Sequence, residues 1–386
     1  MSYPTLPPPS SEHKEAQFLT RLSTWKARQP PALLVAQEAL LSSEQKVALL
    51  ERLTPVRFLE HVEDVTVGLL AGYFREPRFE YAPLPTGFSR TISEIEAIRV
   101  GLSGLRLDPR WDLLRELLDE RAEELILEAR LVVLLGSSEF ISHARRRFLL
   151  EPEFMTAAEQ LAQSWLLSNE ELGTDGDQVR LVSYFVERAR QAGYSFRIIE
   201  RPIASIAAAS RDGLIVQTSA LVSQAEADRI WTHEVGAHLL PRLAGDHSLG
   251  PMVVGTRGAG EDEEGRALLE EKRQGQLKGT RKRTLAVRHL IASAILNKSQ
   301  TELGESALRL VETGIQPRLV ARAVCRSLRG GGLSRELAYL PALLRVQACL
   351  AHNPELEWWM KWGRVSAAAS VRLDQWLESN SMTHGA

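Results

Sequence analysis

Cysteine is nearly missing from this chain: Cys325 and Cys349 are the only two in 386 residues. Two thiols make no disulfide framework, and both are expected as buried side chains in a reducing compartment. An excess of charge of either sign is missing too. The 47 basic and 49 acidic residues leave a net charge of −2, which removes the usual electrostatic reason to expect nucleic acid or an anionic membrane as the main partner. No apolar run is long enough to span a bilayer, and Met1-Ser2-Tyr3-Pro4 has no basic segment leading into an apolar one. A cytoplasmic globular protein is expected, with no nucleic acid and no membrane to bind. Its length suits one large domain or two smaller ones.

What is present is mostly helical patterning. Residues 1–15, rich in proline and serine, read as a disordered tail, and residues 16–55 as an N-terminal helical segment in which Ser42 and Gln45 are spaced as a capping box. The remainder, 56–386, reads as one domain. Proline makes Phe74 to Tyr81 non-helical. Asp108-Pro109 is a helix start, with Asp as the cap and Pro at the first position, and a second amphipathic helix is expected near Thr156 to Leu167. Midway the pattern changes. Phe196 to Ile199, Ile203 to Ala208 and Leu214 to Thr218 read as short strands, with Arg211-Asp212-Gly213 as a turn. Ser223 and Glu226 fit a capping box, so a helix should start near Gln224 and run through His238 until Pro241 stops it.

That helix carries His233-Glu234-Val235-Gly236-Ala237-His238. Two imidazoles and an intervening glutamate are the elements of zinc hydrolase chemistry, in which the histidines hold the metal and the glutamate acts as general base. Their spacing is one residue too long. On a regular α-helix, residues i and i+5 sit about 140° apart, too far round to share one ion. A π-type widening of the turn brings them back to one side, and Gly236, which tolerates distortion, is where it is expected. A catalytic zinc needs a third protein ligand. His247 is one candidate, and the acidic cluster Glu261-Asp262-Glu263-Glu264 the stronger one, although carboxylates in a helix's first turn also offset its macrodipole without any metal.

Several separated motifs resemble the microtubule-associated tyrosine carboxypeptidase (MATCAP) family, including bacterial relatives labelled flavohemoglobin expression-modulating proteins with a QEGLA motif. His233 to His238 is similar to that family's HExxxH, and Glu263-Glu264-Gly265-Arg266-Ala267 to its QEGLA or EEGLA block. Arg329-Gly330-Gly331-Gly332, Ser334-Arg335-Glu336 and Tyr339-Leu340 resemble its RGGG, TKD and YL segments. Arg75 to Phe79 and Gly136 to Phe140 are weaker echoes, so the likeness covers roughly residues 55–380. Two departures stand out, Arg266 for the usual Leu and Glu263 for Gln.

The resemblance implies an α+β, mostly helical, zincin-like metallopeptidase fold with a small β-sheet leading into the HExxxH helix. It also implies Zn²⁺ held by His233, His238 and Glu264, with Glu234 as general base, and removal of a C-terminal, aromatic residue from a peptide or protein. A carboxypeptidase must hold the terminal carboxylate, for which arginine's planar fork is best suited; Arg329 and Arg335 are the candidates. Trp358, Trp359 and Trp362 are expected in the core. Microtubule binding is not carried over, because no basic extension is evident. The rival readings are a zinc hydrolase tailoring one dedicated peptide or amide, and a non-catalytic regulator on the same fold. Three ligands and a base favour catalysis over a closed structural site.

Overall fold

The computed structural model describes residues 11–148, 151–168, 177–201, 203, 205–210, 213–243, 249–297 and 300–381. Helices dominate, accompanied by two small sheets. The first ten residues of the expected tail, Arg211-Asp212 of the expected turn, and His247 lie outside the described residues. The first described helix is Ser11–Ala27, followed by Pro31–Val47. Ser42 and Gln45 lie inside the latter, so their spacing marks no helix start; Pro31 opens that helix instead. Asp108 does cap, its side chain accepting from the Arg110 N–H, and a short 3-10 turn, Pro109–Trp111, leads into the long helix Asp112–Val133.

The sheets come from one short stretch of chain. Strands β1 (Gln178–Arg180) and β5 (Leu221–Ser223) pair antiparallel, while β2 (Arg197–Arg201), β3 (Ala207–Ala209) and β4 (Gly213–Gln217) form a sheet of order β2-β4-β3. β2 runs parallel to the central β4 and β3 antiparallel to it, with Ala209 opposite Leu214, which leaves β3 at the edge. β5 leads straight into the helix Gln224–Ile230, where Ser223 Oγ accepts from the Glu226 N–H as the capping pattern requires. Leu214 and Val216 of β4, Phe185, and Ile230, Trp231 and Val235 of the following segment share one apolar cluster, which fixes the sheet against the histidine helix.

Phe18 of the first helix packs edge-on against Trp359, which is completely buried, so the N-terminal helix and the tryptophan cluster belong to the main core. Trp358 and Trp362 pack against the same core, partly buried. Cys325 is buried as expected, whereas Cys349 is only half-buried.

Candidate metal centre

Helical geometry changes at Trp231. From there to Leu239 the chain is a π-helix, and the Leu240 N–H donates to the Val235 carbonyl, five residues back instead of four. The expected widening is therefore present and spans nine residues. Gly236 is not what demands it. Its φ is unexceptional, and a Cβ added there would meet nothing within 4 Å. Nor does Pro241 end the helix, since Leu240–Leu243 continues as α-helix through it.

The π turn sets the two imidazole rings 5.0 Å apart, both buried. Nε2 of His233 lies 3.1 Å, and Nε2 of His238 3.6 Å, from the same oxygen, Oε2 of Glu264. One ligand atom from each of the three residues lies within 4.8 Å of the others. Donors about 2.0–2.2 Å from a zinc ion stand some 3–4 Å from one another. The cluster can hold a metal ion.

Each histidine has a second carboxylate on its other nitrogen. Nδ1 of His233 lies 2.7 Å from Oε1 of Glu271, and Nδ1 of His238 lies 3.4 Å from Oε2 of Glu263. A ring N–H given to a carboxylate fixes the tautomer and leaves the Nε2 lone pair facing the cluster. Those carboxylates are themselves held. Glu271 accepts from Arg281 and Arg229, Glu263 from Arg242 and Arg364. Burial would raise both pKa values, but the cations beside them keep both well below the ordinary carboxylate range. Burial likewise opposes charge on His238. Glu264 and Glu263 outweigh it and push that imidazole up to about 9.

Glu264 belongs to the helix Ala259–Arg273, which starts ahead of the acidic cluster and packs against the helix Tyr339–His352. Its Oε1 accepts from Arg335 Nη2 at 2.7 Å. Arg335, in the 3-10 turn Ser334–Leu337, therefore reaches the cluster directly. Arg329 does not touch the three residues. It lies where the helix Pro317–Gly332 loses helical geometry, ahead of Gly330 and Gly331 at positive φ. Its guanidinium is buried 3.9 Å from Glu336, and Nε and Nη2 find no hydrogen-bond partner among the described residues. Burial, with Arg326 nearby, pushes its pKa down to about 9. Glu234 is half-buried beside the histidines, its Oε2 accepting from the Ala209 N–H of edge strand β3 at 2.9 Å.

Glu271 and Arg266 are the residues that sequence reasoning missed or left open. Glu271 sits seven residues, two helical turns, beyond Glu264, a spacing that could have pointed to it. Arg266 does not point to solvent: it is buried and donates to the Ala237 carbonyl.

A helical protein with a buried His-His-Glu cluster able to hold a metal ion, beside the edge of a small sheet, is the class that fold and site define. The family model for microtubule-associated tyrosine carboxypeptidase matches residues 69–385, and the chain belongs to that family. No curated protein and no solved structure matches it.

Proposed function

We propose that the chain is a zinc-dependent carboxypeptidase of zincin-like design, cleaving the last residue from a peptide or protein. The observation that carries this reading is the convergence of His233 Nε2, His238 Nε2 and Glu264 Oε2, with Glu234 alongside and no fourth protein ligand among the described residues. Held by His233, His238 and Glu264, zinc would supply an acidified water and a polarised carbonyl oxygen. Glu234, steadied by the Ala209 amide, takes the water's proton and passes it to the leaving amine. Arg335 holds Glu264 and, with Arg329, offers cationic nitrogens to the substrate's terminal carboxylate; Nε and Nη2 of buried Arg329, which make no hydrogen bond among the described residues, support that role. The edge strand β3 serves here to fix the base, its Ala209 N–H meeting Glu234 and its Ala209 carbonyl accepting from Arg242.

The test pairs metal analysis of the purified protein with mass spectrometry of a peptide panel, free and C-terminally amidated. Wild type should contain zinc and trim only free C-termini, while Glu234→Gln keeps the zinc and loses at least about a hundredfold in rate. Zinc-free wild type, or equal trimming by both proteins, overturns the reading. Cleavage of amidated peptides would point to a dedicated amide hydrolase.

A further inference from the structure

Resting on the metal-site reading above, we infer that Arg266 and Pro241 together hold the π turn open, making Arg266 a positioning residue for His238. In an α-helical register the Ala237 carbonyl would accept from the N–H of residue 241. That residue is a proline, which has no N–H and whose ring crowds the carbonyl four residues back. Ala237 immediately precedes His238, and its carbonyl is buried with the helix. With that α-helical donor removed, a buried carbonyl gains from any other one. Arg266, reaching across from the neighbouring Ala259–Arg273 helix, donates Nη2 to it.

Two further facts make this arrangement more than packing. Arg266 is 9 % exposed, and desolvating a guanidinium needs a return. It also sits two residues beyond Glu264, on the helix that supplies the third ligand. One helix thereby contributes both the glutamate and the clamp that keeps the two histidines on its side. Gly236 cannot supply that control, as its surroundings are open.

The experiment measures Zn²⁺ affinity by chelator competition and the visible absorption of the Co²⁺-substituted protein, for wild type, Arg266→Leu, Arg266→Lys and Pro241→Ala. Arg266→Leu should weaken Zn²⁺ binding about ten- to a hundredfold and shift the Co²⁺ bands, with Arg266→Lys recovering part of the loss. Pro241→Ala restores the missing N–H and should weaken metal binding although its helix becomes easier to form, an outcome that a purely structural proline would not give. Crystal structures of the metal-free proteins read the same point without metal, because the imidazole centroids should separate beyond 5.0 Å in Arg266→Leu and Pro241→Ala. Wild-type affinity, spectrum and ring spacing in folded Arg266→Leu and Pro241→Ala overturn the inference. Failure of wild type itself to bind zinc overturns the metal reading instead, and the ring spacing still decides this one.

Discussion

Glu261, Asp262, Glu263 and Glu264 are consecutive, and each meets a different arginine: Arg147, Arg345, Arg364 with Arg242, and Arg335. All four carboxylates are buried, where a charge is tolerated only with a partner. The macrodipole thus explains little of this cluster. Glu264 alone of the four meets both histidines, while Glu263 meets only the far nitrogen of His238, and Glu271, two turns on, meets that of His233. Glu271→Gln keeps the shape but gives up the charge held by Arg281 and Arg229, and should weaken Zn²⁺ binding about ten- to a hundredfold by chelator competition. Unchanged affinity would reduce Glu271 to a partner for arginines. The hexamer and the acidic cluster were legible in the sequence as metal-site material. The spacing of Glu271 from Glu264 put both on one helix face, but its contact with His233 and the arginines' roles were not legible, because burial and a partner 38 positions away are products of packing.

Gly265 shows why an element's placement matters as much as its residues. Glycine inside a helix is about 1 kcal/mol worse than alanine, so its position next to Glu264 needs a packing reason. A Cβ there would run into the backbone of Ala342 and Leu343 on the Tyr339–His352 helix. The missing side chain lets the two helices close up and sets the depth at which Glu264 enters the cluster. Gly265→Ala should therefore destabilise the protein by about 1–3 kcal/mol in denaturant unfolding, against its helix propensity, and reduce zinc occupancy. Gly236→Ala is the contrast. With open space around it, it should leave metal binding at the wild-type level, and a lost metal there would show that the π turn needs its glycine. Periodicity located most of these helices, along with the Ser223 cap. It could not decide that Pro241 lies within a helix, because the preceding π register and Arg266 are what make the proline acceptable there.

Across the whole molecule, charge links the N-terminal helices to the site. Glu44, on Pro31–Val47, accepts from Arg364 at 2.9 and 3.1 Å, and Arg364 donates onward to Glu263 behind His238. Burial would raise the Glu44 pKa, but Arg364 and Arg121 hold it down at about 2. A carboxylate lowered from 4.5 stabilises the fold fully above that pH and loses its contribution as pH falls towards 2. Glu44→Gln should accordingly cost about 3 kcal/mol at pH 7, and the gap from wild type should close between about pH 4.5 and pH 2 in urea unfolding. A gap that stays constant with pH would rule out the ion pair as its source. The sequence set residues 16–55 apart as a helical segment, and nothing local could reveal that Glu44 reaches, through Arg364, the carboxylate behind a histidine.

By itself the sequence determined the donor types, the i, i+5 spacing that calls for a widened turn, and the strand-to-helix order that brings β3 beside Glu234. These are local properties, fixed by residue chemistry and backbone periodicity. Family resemblance had pointed to Glu264 among the four carboxylates; tertiary structure alone decided which carboxylates orient the imidazoles and that Arg266 takes the Ala237 carbonyl. Each of those depends on the angle and distance at which separate helices pack, and that is set by the core they share.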